Sequence, residues 1–260
     1  RVLARFTLAR ALDRSDVLDQ ALADWSIWFT ETDKTGITEY NSPTYAVVTA
    51  IPLGRMLDLL PDTEIAKQVE TALACVLADF SWHYHAQTGL LAGAMSRSCH
   101  GDFLRNSFSN LMAYQQYGAK IRGISLNPAF VATSNYQQSP ESVEWALAKK
   151  PGTTVRASIP GSGVRRATYF GNQFALGAKS GPAYGKQEMS VTLVHPSKRQ
   201  PMLFLRQNPD SGDAVYSELC EGSLLTGIAF RDPPEIGSQH GWFRLVLGPT
   251  EDFNAIEVGG

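Results

Sequence analysis

Cysteine is scarce in this chain: three among 260 residues, at Cys75, Cys99 and Cys220. An odd count without a short metal-type spacing excludes a disulfide framework and a zinc ribbon. Cys75 falls in an apolar helical pattern and is expected in the core. A surplus of either charge is also missing. The formal net charge is -2 and the pI about 6.2, so neither nucleic acid nor an acidic membrane surface is an expected partner. Long apolar runs are lacking too. Stretches such as "ALACVLADF" are far too short to span a bilayer, so no membrane insertion is expected, and no basic-then-apolar leader opens the chain. It begins at Arg1 rather than Met, which reads as a processed or trimmed N-terminus. The signature loops of nucleotide and dinucleotide sites, GxSxG and HExxH are all absent, and no cofactor is expected.

What is present suits a globular chain of one large or two ordinary domains, with 43% hydrophobic and 18% charged residues. Val17, Leu18, Ala21, Leu22, Trp25, Trp28 and Phe29 paint one stripe on a helix over residues 16–31. Ser42 and Pro43 read as N-cap and first residue of a second helix over 43–60, which Pro52 should kink. Asp62 is the expected cap of a third, apolar at Ile65, Val69, Ala72, Leu73, Val76, Leu77 and Phe80 and continuing to about 85. A fourth is expected over 104–117, and a short one over 140–149.

The character changes after Gly118. Runs such as "EMSVTLVHP", "QPMLFLRQ", "LLTGIAF" and "GWFRLVLG" have strand length and are parted by turn residues. Helices first and strands second, without alternation, predict an α+β chain of two domains, with helical hairpins over 1–120 and an antiparallel β-sandwich over 121–260, the boundary near 118–125.

Two polar constellations lie where helices end. "TEYNSPTY" supplies Glu39, Tyr40, Asn41 and Tyr45, of which capping requires none. "SWHYHAQTGLLAGAMSRSCHGDF" supplies His83, Tyr84, His85, Arg97, His100 and Asp102. His83, His85 and His100 match no standard ligand spacing, and no metal site is assigned. Acid-base chemistry fits the residue types better. Removing a proton beside a carboxylate requires a group that neutralises the carboxylate, a base, and a donor for the leaving oxygen. Asn41 or Arg97, His85 or His100, and Tyr45 or Tyr84 would fill these places. Aromatic residues at helix ends, Trp25, Trp28, Trp82, Tyr40 and Tyr45, suit either sugar rings or the core; the stripe assigns Trp25 and Phe29 to the core, whereas Tyr40 belongs to no stripe.

Helical hairpins with an Asn-bearing polar turn and a His/Tyr/Arg cluster, followed by antiparallel strands, resemble the polysaccharide lyases built from an (α/α) toroid and a β-sandwich, of the heparinase II/III and chondroitin AC lyase type. "EYNSPTY" carries most of the resemblance, and "RRATYFGNQFALGAKSG" is similar to the start of their sandwich. The helices here are too few to close a ring, so only a partial toroid is expected. The resemblance implies β-elimination on a uronic-acid polysaccharide or oligosaccharide by a secreted or periplasmic enzyme. Asn41, Tyr45, His85, Arg97 and His100 would be catalytic, and Glu39, Tyr40, Tyr84 and Asp102 would bind substrate. Glycoside hydrolysis through Glu39 and Asp102, or carbohydrate binding without turnover, are the alternatives.

Overall fold

The computed structural model describes residues 1–37, 39–60, 63–97, 108–118, 136–182, 188–194, 202–207, 214–220, 223–229 and 243–247. Helices come first: α1 (Val2–Leu12), α2 (Ser15–Thr35), α3 (Tyr45–Leu59), α4 (Glu64–His83), α5 (Phe108–Tyr117) and α6 (Pro140–Leu147). A two-residue hairpin, β1 (Tyr84–His85) and β2 (Leu90–Leu91), follows α4 directly. The remaining strands are β3 (Thr153–Ser158), β4 (Arg165–Phe170), β5 (Ala175–Pro182), β6 (Met189–Val194), β7 (Met202–Gln207), β8 (Ala214–Cys220), β9 (Ser223–Ala229) and β10 (Phe243–Leu247). The chain is therefore a mixed α+β protein whose described strands all pair antiparallel. The expected boundary lies, but for Gly118, outside the described residues.

Several helix ends differ from the sequence reading. α2 runs on to Thr35 before Gly36 closes it. Pro52 lies inside α3 without ending it, and α3 begins only at Tyr45. Ser42 still acts as a cap from outside the helix, its Oγ accepting from Tyr45 N at 3.0 Å. α4 is capped by Thr63, whose Oγ1 accepts from Ala66 N; Asp62 is outside the described residues. α4 also stops at His83, because Tyr84 and His85 turn extended to pair with Leu91 and Leu90. Cys75 is exposed rather than in the core. Two residues on from Leu73 it has swung about 200° round the helix, away from the stripe that buries Val69, Leu73, Val76 and Phe80.

The large sheet has the order β10-β7-β6-β5-β4-β3 and forks at β5. β6 pairs with β5 over Ala175 to Ala178, and β8 then takes over at Gly181, carrying β9 on its far side. One hydrophobic cluster runs from Phe6 and Trp25 through Leu73, Leu77 and Phe80 to Val155, Phe170, Ala175 and Val194, so helices and sheet share an interior. Lys149 ties α4 and α6 together: its Nζ donates to Ser81 O, Tyr84 O and Ala146 O at 2.6, 2.9 and 3.2 Å. Burial pushes the Lys149 amine down to about 7, and in its charged form it meets the negative end of both helix dipoles.

Candidate functional site

The two polar constellations meet. The turn before α3 and the loop after β2 are joined through several hydrogen bonds. Tyr40 O accepts from Ser96 N at 3.2 Å and from Ser96 Oγ at 3.0 Å, and Ser42 Oγ donates to Arg97 O at 2.6 Å. Asn41 is the pivot. Its backbone is left-handed at φ 44°, a conformation asparagine tolerates better than most residues. Its N–H donates to Asp79 Oδ2 at 2.7 Å, and its side-chain amide donates to Ala92 O at 2.7 Å and Ala94 O at 3.1 Å. Two carbonyl partners fix which end of the amide is nitrogen. Both amide protons are thus committed to the loop, and Asn41 Oδ1 is left buried without a partner.

Between those carbonyls lies Gly93, at φ 96°, where an added Cβ would come within 2.5 Å of Thr168 Oγ1 and 2.9 Å of His83 Nδ1. Its Cα also rests on the sheet at Gly177, whose own Cβ would lie 2.0 Å from it. Thr192 Oγ1 donates to Gly93 O at 2.8 Å, and Met95 pairs with Met189 in both directions. Glycine opposite glycine is what lets this loop lie flat on β5 and β6.

Beneath the turn is a buried charged network. Arg166 of β4 donates to Asp79 of α4, Nη2 to Oδ1 at 2.9 Å, and its guanidinium lies 4.3 Å from the Tyr40 ring centre. Burial would raise the Asp79 carboxyl, but the Arg166 guanidinium, with the Asn41 amide helping, holds it below its ordinary value. Burial pushes the His83 imidazole down to about 3, against the pull of Asp79 and with the help of Arg166 and Lys149, so the ring is neutral. Its Nε2 faces Arg166 Nη1 at 3.5 Å, which suits an acceptor, and its Nδ1 lies 2.9 Å from Thr168 Oγ1. On the other flank the Tyr40 hydroxyl donates to Glu188, which also pairs with Lys179. Burial, with the Glu188 charge adding to it, raises the Tyr40 phenol well above its ordinary value, so it stays a proton donor. The chain matches no protein-family model, no curated protein and no solved structure.

At the mouth, the chemistry faces solvent. Arg97 pairs with Glu39, their side chains 35% and 27% exposed. The Arg97 guanidinium also lies 4.0 Å from the ring centre of Tyr45, which is half-buried. A cavity of about 150 Å³ opens beside this group, lined in part by Glu39, Asn41, Asp79, Arg166, Ile37 and Pro160. Glu39 links the two: it lines this cavity and pairs with Arg97, which with Tyr45 forms the half-exposed rim next to it.

Six of the residues singled out in the sequence thus come together: Glu39, Tyr40, Asn41, Tyr45 and Arg97, with His83 in the network beneath them. Tyr40 and Asn41 are buried, at 3% and 1% exposure, so they hold the site from behind. Tyr84 and His85 are buried in other surroundings. Tyr84 packs on Tyr117 and Phe80, with ring centres at 4.9 and 6.2 Å, and His85 Nδ1 lies 2.9 Å from Thr88 Oγ1. His100 and Asp102 lie outside the described residues. Trp25 is core, whereas Trp82 is 43% exposed. Among the described residues no group of His, Cys, Asp and Glu could hold a metal ion, and no helix is long and apolar enough to cross a membrane. Asp79, Arg166, Lys179 and Glu188 escaped the sequence reading. The one local signal was Asp79 four residues before His83 on an otherwise apolar face.

Proposed function

We propose that the chain is a carbohydrate-active enzyme that cleaves a uronic-acid polysaccharide by β-elimination. The observation that carries this reading is the Arg97 guanidinium held 4.0 Å from the Tyr45 ring at a half-open mouth. The proton at C5 of a uronate becomes removable when the adjacent carboxylate is neutralised, since the negative charge of the intermediate spreads onto that group. Arg97 has the planar fork for this, and an incoming carboxylate would replace Glu39 on it. In its phenolate form Tyr45 takes the C5 proton. As the C4–C5 double bond forms and the bond from C4 to the glycosidic oxygen breaks, the phenol so made returns that proton to the departing oxygen, with His100 the second candidate for this transfer. The committed amide of Asn41 acts at one remove, by fixing the turn that carries Tyr45.

The same reading brings with it an architecture: α1 to α4 as an arc of an (α/α) toroid, and the forked sheet as part of a β-sandwich, two domains packed through one continuous interior. The pairwise packing of α1 on α2 and of α3 on α4, and the antiparallel pairing of the described strands, support it. The test is ultraviolet absorbance during incubation with uronic-acid polysaccharides, which follows the conjugated double bond left at the new non-reducing end. The expected result is a rise that falls roughly 10²- to 10⁴-fold in Tyr45→Phe, the usual worth of a general acid-base group. New reducing ends without absorbance would assign hydrolysis instead. Saturable binding with neither would assign a carbohydrate-binding protein.

A further inference from the structure

The adjacent arginines at the start of β4 part company. Arg166 turns toward the helices to meet Asp79, and strand alternation sends Arg165 to the opposite face. On that outer face the register sets Arg165 across from Ser158 of β3 and Ser180 of β5, and Arg156 across from Ala167. Arg156 and Arg165 are therefore diagonal neighbours on one face, within reach of a shared ligand. Ala167 in turn faces Ala178 of β5, which leaves a low floor beside the two cations.

The far wall comes from the fork. Where β6 leaves β5 and β8 takes over, Ser217, Glu218 and Leu219 complete a cleft of about 380 Å³. Its geometry is fixed, because Ser180 Oγ donates to Ser217 O at 2.7 Å and accepts from Ser217 N at 2.8 Å. Arg156 and Arg165 are exposed, and among the described residues no carboxylate pairs with either. Among the described residues the one polar contact of the Arg156 side chain is a long 3.5 Å bond from Nη2 to Leu219 O.

We propose that this cleft is a second binding site, which takes a carboxylate of an acidic oligosaccharide on Arg156 and Arg165 over the Ala167–Ala178 floor. Guanidinium forks match carboxylates in two-point contacts, and Ser158 offers a hydroxyl to a sugar ring. Among the described residues no aromatic ring lines the cleft, so these offer no stacking surface of the kind that single-stranded nucleic acid uses. The two cations lie on the opposite face of β4 from the Arg166–Asp79 pair; Arg166 and Ser158 line both this cleft and the cavity of about 150 Å³, whereas Arg97 and Tyr45 line neither. The choice of an acidic sugar rests on the proposed function; the cationic cleft does not.

The experiment is titration of Tyr45→Phe protein, which on the proposed mechanism consumes the probe roughly 10²- to 10⁴-fold more slowly, with tetragalacturonate, followed by amide chemical shifts and calorimetry. Expected are shifts on β3, β4 and β8, and affinity lowered roughly 10-fold by each of Arg156→Ala and Arg165→Ala. Ala167→Met, which fills the floor and keeps both charges, should also lose this binding, and it serves if the alanine variants do not fold. No shifts on these strands, undiminished affinity in the variants, equal binding of maltotetraose, or tighter binding of an oligodeoxythymidylate would each overturn the proposal. In otherwise wild-type protein, absent turnover with these binding results intact would sink the lyase reading and leave this one standing.

Discussion

The contact of Gly93 with Gly177 gives the sharpest test of how loop and sheet are joined. Gly177→Ala adds a single methyl group, and that carbon would lie 2.0 Å from Gly93 Cα, 2.5 Å from its N and 2.8 Å from its C. Ordinary carbon contacts are about 3.5 to 4.0 Å, so the loop must retreat by roughly 1.5 to 2 Å. The obstacle is backbone, which has no rotamer to change. Retreat breaks the bond from Thr192 Oγ1 to Gly93 O and those from Asn41 Nδ2 to Ala92 O and Ala94 O. With about 1 kcal/mol for each bond and more where a buried donor is stranded, the loss is about 3 to 6 kcal/mol, a large part of the ~5 to 15 of a typical protein. Urea unfolding followed by tryptophan fluorescence measures it. Gly161→Ala is the control, since nothing lies within 4 Å of its Cβ position and only its φ of 70° opposes a side chain; about 1 kcal/mol is expected there. A Gly177→Ala protein within 1 kcal/mol of the parent would refute this account of the joint.

Three further outcomes follow from the same geometry. His83 titrates near 6.5 when unfolded and is held down to about 3 in the fold, so the unfolded chain binds the extra proton and stability falls as pH drops from 6.5 toward 3. That amounts to about 2 kcal/mol by pH 5, and unfolding midpoints of His83→Gln should have a shallower slope across this window. Lys179→Met leaves Glu188 charged and buried and should cost about 3 to 5 kcal/mol, of which Glu188→Gln added to it should recover part, by the same assay; an unrecovered loss would mean the pair is not the cause. Arg97→Lys keeps the charge but loses the planar fork, so steady-state kinetics on a uronic-acid substrate should have a lower kcat/KM than the parent; unchanged kinetics would remove Arg97 from the reaction.

The helices were legible because their packing is periodic. The stripe from Val17 to Phe29 and that from Val69 to Phe80 are local patterns, and the strands "SVTLV" and "FRLVL" stand between turn residues. The meeting of the turn with the Arg97 loop was legible only as two separate polar clusters. Its floor was not, since Asp79 and Arg166 are 87 residues apart and Tyr40 and Glu188 are 148 apart. No periodicity spans such distances. Burial reversed the meaning of two residues: Tyr40 and Asn41 looked available because they interrupt no apolar stripe, yet their partners come from the sheet and from α4. The fork was invisible for a related reason, because strand runs alone do not say that β5 changes partners halfway along.

The shared interior bears on how such a protein can be assembled from parts. Phe170, Ala175 and Val194 belong to the same cluster as Phe80 and Leu77, and the charge of Asp79 is balanced across the joint by Arg166. A sheet made without the helices would expose that apolar face and leave the Arg166 guanidinium unpaired; helices made without the sheet would keep an unanswered carboxylate at Asp79. Neither piece is a module that can be traded by recombination with an unrelated partner. Variation that persists must come as matched changes on both sides of the joint, or at the outer rim of the sheet, where Arg156 and Arg165 can change without consulting the helices.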